Sequence, residues 1–128
     1  MQVLIVEDED SFARTYLSVL SAHCSKIGLK LDLVDHAKSV EKAKDFLDKK
    51  NYNLLLLDND IFLFDEEEVP SPEGYTEVLP YARKKNPNII VISVSSHEIG
   101  SHKIDFRINK GKVEKELPLI LDIIKERL

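Results

Sequence analysis

The sequence lacks tryptophan and has a single cysteine, Cys24. One cysteine cannot form an internal disulfide, so a disulfide-stapled secreted scaffold is excluded and a reducing, cytoplasmic environment is expected. The apolar runs are short, and none approaches the roughly 18 residues of a membrane span. The amino terminus also lacks the basic segment of a signal peptide. We therefore expect a soluble cytoplasmic protein that does not contact a membrane, with Cys24 as a buried helix thiol.

Basic residues are in deficit, with 18 Lys and Arg against 23 Asp and Glu, and the net charge is −5. A surface with this balance repels a polyanion, which disfavours nucleic-acid binding. The length of 128 residues is that of one domain, and the 43% of hydrophobic residues can supply its core. We expect a single domain over residues 1–128.

Five short apolar or alternating runs alternate with helix-like segments, which is typical of a β-α-β-α chain. They cover residues 3–6, 29–34, 54–57, 89–92 and 104–109. The first, third and fourth runs are continuously apolar, as in parallel strands covered on both faces. The second and fifth alternate with polar residues, which predicts edge strands. Two edges and three central strands match a flavodoxin-like, doubly wound parallel α/β sheet of order 2-1-3-4-5.

Local signals predict the helix limits. Asp10 or Ser11 is a candidate cap for the first helix, and Gly28 is suited to end it. Pro80 is expected only within the first turn of the third helix, because proline lacks the backbone donor that later turns need. For the same reason the last helix is predicted to begin near Pro118.

Acidic side chains follow strands one and three at the edge where ligands bind in this fold. Strand one is followed by Glu7 and Asp8, and strand three by Asp58 and Asp60. Adjacent strands lie about 4.8 Å apart, so these carboxylates must converge and require a cation. A hard oxygen-rich site of this kind suits Mg²⁺.

Two further groups are expected at the same edge. Lys110 follows strand five and offers a basic side chain. A hydroxyl at the end of strand four comes from Ser95 or from Ser93, which lie on the same side of a strand. Ser95 is preferred because it is nearer the carboxyl end. Any one of these residues alone is typical of a turn or a helix cap, whereas their combination at one edge favours a functional site.

With these residues in place, the sequence resembles the receiver domain of two-component response regulators over nearly its whole length. The resemblance rests on VLIVEDE, YNLLLLDND, PNIIVISVSS and INKG. It implies that Asp58 accepts a phosphoryl group in a phosphorelay. It also implies that Asp8 binds Mg²⁺ directly, with Glu7 as a second acid near the metal and Asp60 as a ligand through its backbone carbonyl. Ser95 matches the switch hydroxyl and Lys110 the lysine that contacts the phosphoryl group.

The sequence departs from the receiver pattern in three places. The segment after strand three is longer than usual and carries four consecutive acids at residues 65–68, which form either a solvated loop or a contact for a basic partner. The interval between Ser95 and Lys110 is too short for a full fourth helix, so this helix is expected to be shortened or missing. Arg107 stands where receivers usually carry an aromatic residue, and Gly111 where they carry a proline. We therefore expect an altered output face.

The leading hypothesis is a stand-alone receiver domain, phosphorylated by a histidine kinase or a histidine phosphotransfer protein, that signals through contacts with a downstream protein. It is not expected to be an enzyme beyond accepting and hydrolysing its own phosphoryl group. One alternative is a degenerate receiver that acts as a phosphorylation-independent interaction module. Another is a Mg²⁺-dependent phosphatase-like enzyme, which the position of the DND segment on the third strand disfavours. His97 and His102 have the wrong spacing for a zinc helix and are interpreted as surface residues.

Overall fold

A computed structural model describes residues 1–58, 74–95 and 104–127. Five parallel strands form one sheet of order β2-β1-β3-β4-β5. The strands are β1 (Gln2–Val6), β2 (Leu33–Ala37), β3 (Leu54–Asp58), β4 (Ile90–Ser95) and β5 (Phe106–Asn109). The described α-helices are α1 (Asp10–Ile27), α2 (Val40–Lys49), α3 (Gly74–Lys85) and α4 (Val113–Arg127), the last preceded by a 3₁₀ turn at Lys110–Lys112. The predicted flavodoxin-like fold and its two edge strands are confirmed.

The central strands bury both of their faces. On β3, Leu54 and Leu56 pack in a core shared with α1 and α4, whereas Leu55 and Leu57 pack in a second core shared with α2 and α3. Successive side chains of a strand point to opposite faces, so a run of four leucines supplies both cores. Cys24 is buried in the first core, as predicted.

The second strand begins later than predicted, at Leu33 rather than at residue 29. The register explains the difference, because Leu33 pairs with Gln2, the first residue of β1. The preceding residues have no β1 residue beside them, although Leu29 and Leu31 still pack against the core. Their alternation therefore reflects an extended, half-buried segment that leads into β2.

Helix α1 begins at Asp10 with Glu9 as its N-cap, so both predicted caps, Asp10 and Ser11, lie within the helix. The backbone N–H of Ala13 donates to the Glu9 carbonyl at 3.1 Å, which closes the first helical turn. Gly28 ends the helix as predicted, with φ of 73° in the left-handed region. Only glycine adopts this conformation without a steric cost.

Both prolines lie inside helices, so the two predictions that placed them in first turns are wrong. Pro80 lies within α3, which begins at Gly74, and Pro118 lies within α4, which begins at Val113. Burial of Val78 and Leu79 around the first proline, and of Leu117 and Ile120 around the second, offsets the lost backbone bond. Tertiary packing here overrides a local propensity.

The connection between β4 and β5 includes residues 96–103, so the expected shortening of a fourth receiver helix lies outside the described residues. The acidic run at residues 65–68 lies outside them as well. None of the described helices is long and apolar enough to cross a bilayer.

Candidate functional site at the carboxyl edge of the sheet

The site forms where β1 and β3 end side by side. Val6 of β1 pairs with Leu57 of β3, so Glu7 and Asp58 emerge next to each other. Asp8 follows in the same turn. One carboxylate oxygen from each of these three residues lies within 4.8 Å of the other two. The structure therefore brings the predicted acids of strands one and three into one cluster.

Two of these carboxylates are buried. Glu7 is 0% exposed and Asp58 is 4% exposed, whereas Asp8 is half-buried. Burial disfavours a charged carboxylate unless cations or hydrogen-bond donors face it.

Lys110 supplies the positive charge. Its Nζ lies 3.0 Å from Oε1 of Glu7 and 3.1 Å from Oδ2 of Asp58, so one ammonium group bridges two strands. Asn109 caps the start of the 3₁₀ turn that carries Lys110. Its Oδ1 accepts a hydrogen bond from the Gly111 N–H at 2.9 Å. The predicted convergence of a lysine after strand five with the acids is present in the structure.

The electrostatics reflect this crowding of acids. Burial is the main cause of raised pKa values at Glu7 and Asp58. Burial and the neighbouring Glu7 carboxylate raise the pKa of Asp8 to about 6. Burial opposes the charge of Lys110, but the carboxylates of Asp58 and Glu7 outweigh it and raise the lysine pKa. The cluster thus places three carboxyl groups with raised pKa values beside one lysine.

Helix α1 contributes two aromatic residues that the sequence did not point to as part of the site. The Tyr16 hydroxyl donates to Oε1 of Glu7 at 2.9 Å. The Lys110 ammonium lies 4.4 Å from the centre of the Phe12 ring. The i, i+4 spacing of Phe12 and Tyr16 places them on one face of α1, but no sequence signal shows that this face reaches the acids.

His36 on the edge strand β2 was also missed. Its Nε2 lies 2.7 Å from the Glu7 carbonyl oxygen, so the ring holds the backbone where β1 ends. A ring nitrogen that faces a carbonyl must carry the proton, which sets the tautomer.

The serine and arginine positions follow from the register of β4. Asp58 pairs with Val94, so Ser95 lies one residue nearer the carboxyl edge and Ser93 one residue further from it. Both serines are buried. Arg107 pairs with Ser93 and is exposed on β5. Asp60, His97 and His102 lie outside the described residues.

A cleft of about 510 Å³ opens beside Lys110. Phe12 and Thr15 of α1 line one side, and Lys112 and Lys115 line the other. The lysine that contacts Asp58 thus lies at the wall of an open cleft.

The donor set suits a hard divalent cation. Three carboxylates at one edge of the sheet offer the oxygen ligands that Mg²⁺ prefers. The cluster is therefore compatible with the magnesium site of a receiver domain.

Comparisons with known proteins identify the fold. No protein-family model and no curated protein sequence matches the chain. Among solved structures, the RcsB response regulator of Salmonella typhimurium has a TM-score of 0.74 and 15% identity, over 98% of this chain and 60% of that one. The chain thus spans less than two thirds of that regulator.

Two further structures match over nearly their full length. A DNA-binding response regulator of the LuxR family from Staphylococcus aureus has a TM-score of 0.71 and 19% identity, over 96% of this chain and 97% of that one. A CheY-like receiver domain from Methylobacillus flagellatus has a TM-score of 0.69 and 19% identity, over 97% and 98%. The chain has the fold of response regulator receiver domains over almost its whole length.

Proposed function

We propose that this chain is a phosphoryl-accepting receiver domain of a two-component system, with Asp58 as the acceptor. The observation that carries the proposal is the ammonium of Lys110 placed between Glu7 and Asp58, with Asp8 beside them. An acceptor carboxylate, further acids for a cation and a lysine for the phosphoryl oxygens together meet the needs of phosphoryl transfer.

In the proposed reaction a carboxylate oxygen of Asp58 attacks the phosphorus atom of the donor. The new P–O bond makes an aspartyl phosphate, while the bond between phosphorus and the leaving group breaks and its electron pair departs with that group. For a histidine kinase or a phosphotransfer protein, the leaving group is a histidine nitrogen. Hydrolysis of the aspartyl phosphate then restores Asp58, so the chain is not an enzyme that turns over an external substrate.

The acids would hold Mg²⁺, with Asp8 and Asp58 as direct ligands and Glu7 as a nearby acid. The backbone carbonyl of Asp60 remains a predicted ligand outside the described residues. When bound, the metal supplies positive charge that offsets the phosphoryl oxygens.

Lys110 and Ser95 act on the phosphoryl group in this proposal. Lys110 neutralises charge on its oxygens, since its Nζ already contacts Oδ2 of Asp58. Ser95 donates a hydrogen bond to the product and starts the conformational response.

The domain then signals by contact with another protein. Arg107 is exposed on β5, so we expect the signal to be read without the aromatic residue that receivers usually carry there. That the domain acts without an attached effector domain remains a prediction from the sequence. Its cytoplasmic location is a second such prediction.

Intact-mass spectrometry after incubation with acetyl phosphate and Mg²⁺ tests the proposal. Wild-type protein should gain one phosphoryl group, and Asp58→Asn or a chelator should abolish the gain. Asp35→Asn is a matched control, because Asp35 is another hydrogen-bonded carboxylate of the sheet but bonds Lys50 away from the site. If no variant-dependent mass gain occurs and beryllofluoride does not bind, the chain acts instead as a phosphorylation-independent interaction module.

A further inference from the structure

A buried tyrosine lies directly beneath the acidic cluster. Tyr16 is 1% exposed, and its hydroxyl donates to Oε1 of Glu7, which is 0% exposed. The tyrosine comes from α1 and the glutamate from the end of β1, so the bond joins a helix to the edge of the site.

Core packing alone does not require the Tyr16 hydroxyl. Phenylalanine would fill nearly the same space, and a buried hydroxyl costs free energy unless it has a partner. The partner here is a buried carboxylate, and a hydrogen bond to a charged acceptor is stronger than one between neutral groups. The pair is thus arranged to orient Glu7 as well as to fill the core.

Three donors among the described residues act on the Glu7 carboxylate. Oε1 accepts from the Tyr16 hydroxyl at 2.9 Å and from Nζ of Lys110 at 3.0 Å. Oε2 accepts from the backbone N–H of Glu9 at 3.3 Å. A glutamate side chain has more rotatable bonds than an aspartate, so several donors are needed to hold it in one orientation.

The Lys110 ammonium is shared between Glu7 and Asp58. Nζ of Lys110 contacts Oε1 of Glu7 and Oδ2 of Asp58 at nearly equal distances. If Glu7 turned, the ammonium would follow it or lose one of its two acceptors. Tyr16 therefore acts on Asp58 through Glu7 and Lys110, without contacting the reacting atoms.

We propose that Tyr16 is a positioning residue that orients Glu7 and, through it, aims the Lys110 ammonium at Asp58. The proposal deepens the receiver function proposed above and rests on it. It makes α1 part of the phosphoryl site.

The test compares Tyr16→Phe with Tyr52→Phe. Tyr52 is also 1% exposed, and its hydroxyl bonds a carboxylate, that of Asp35, away from the site. Both substitutions remove one buried hydroxyl and keep the ring, so a purely structural effect should lower the melting temperature of both variants.

The first measurement uses metal-free protein and NMR of the Lys110 side chain. Tyr16→Phe should shift the Lys110 Nζ and ε-methylene signals, while Tyr52→Phe should leave them unchanged. The second measurement is the affinity for beryllofluoride with Mg²⁺. Because groups that orient a metal site typically contribute about tenfold or more, Tyr16→Phe should weaken this affinity by about tenfold and Tyr52→Phe by less than about twofold.

The outcomes separate the two proposals. Unchanged Lys110 signals, or equal effects of the two variants on beryllofluoride binding, would overturn the role of Tyr16. If wild-type protein does not bind beryllofluoride at all, the receiver function fails, while the metal-free NMR comparison still tests the positioning of Lys110.

A third measurement needs no variant. The Tyr16 hydroxyl proton of the wild-type protein should give a downfield resonance that persists when Mg²⁺ is added. Its disappearance on metal addition would contradict the proposal, because the bond to Glu7 would then exist only without the cation.

Discussion

The Nζ atom of Lys110 lies 3.1 Å from Oδ2 of Asp58, although 52 residues separate them along the chain. Asp58 is the last residue of β3 and Lys110 directly follows β5, and these two strands are separated in the sheet by β4. The length of the lysine side chain spans that gap. The phosphoryl site proposed here depends on this contact.

Substitution of Lys110 by methionine should destabilise the protein and slow phosphorylation. The change leaves Glu7 and Asp58 buried without their cation, which costs about 2 kcal/mol of unfolding free energy at neutral pH. The substitution should lower the unfolding free energy by less at pH 5. The carboxyls of Glu7 and Asp58 have raised pKa values, so they take up protons more readily at that pH and need the cation less. Urea denaturation at the two pH values measures the effect.

Lys85→Met is the control for that experiment. Lys85 also pairs with an aspartate, Asp48, at 2.9 Å, but the pair is at the surface. Exposed ion pairs contribute little, so stability should hardly change. Equal effects of the two lysine substitutions would contradict the importance of the buried contact.

The metal-free protein should lose stability as pH rises from about 4 to about 6. The pKa of Asp8 is about 6 in the folded chain against an ordinary value of 3.8, so the folded state binds more protons in this window. Stability contributed by the protonated carboxyl is present below pH 3.8 and is lost as the pH passes the folded pKa. After allowance for solvent screening, Asp8 should account for about 1 kcal/mol of the loss in unfolding free energy.

Denaturant unfolding of wild-type protein and Asp8→Asn across this range checks the prediction. The variant should show a weaker pH dependence, since it has no carboxyl to titrate at that position. Mg²⁺ should bind more tightly at pH 7 than at pH 5, because metal ligands must be deprotonated. Calorimetric titration that gave equal affinities at the two pH values would argue against Asp8 as a ligand.

Ser95→Ala should weaken beryllofluoride binding by about tenfold, the usual worth of one hydrogen bond to a charged group. The protein should still gain mass from acetyl phosphate, because the serine does not perform the attack. Ser93→Ala is the matched control, being equally buried but further from the carboxyl edge. A larger effect of Ser93→Ala would assign the switch hydroxyl to Ser93 instead.

Gly28→Ala should destabilise the fold by about 1 kcal/mol without changing phosphorylation. The cost comes from the backbone, since φ is +73° and, among the described residues, the added Cβ would meet just the flexible end of Lys125, with Nζ at 3.8 Å. Gly111→Ala offers a comparison in which the Cβ has ordinary contact and no left-handed φ is required. In thermal unfolding, Gly28→Ala should lower the melting temperature more than Gly111→Ala does. An equal decrease in the two variants would contradict the conformational argument.

Much of the architecture is predictable from the sequence because the pattern of apolar residues shows which strand faces are buried. Continuous apolar runs in β1, β3 and β4 follow from strands covered on both faces, and the alternating runs follow from edges. Strand order then places Glu7, Asp58 and Lys110 at one edge. The sequence therefore predicts these residues as neighbours without giving their distances.

Other features were not predictable from local patterns. The start of β2 depends on the pairing of Leu33 with Gln2, which a period of two does not reveal. Pro80 and Pro118 lie within helices because packing around them outweighs a local preference. The Tyr16 hydroxyl is another case, since a helix period shows that the side chain is buried and not which group it meets.

The sequence by itself determined the class of fold, the edge where the polar residues gather and the types of group found there. These properties depend on which residues are apolar and in what order the strands occur. Only the tertiary structure decided that one ammonium bridges Glu7 and Asp58 and that the Tyr16 hydroxyl donates to Glu7. Such contacts join residues from different elements, and their distances depend on the register of the sheet and on how α1 packs against it.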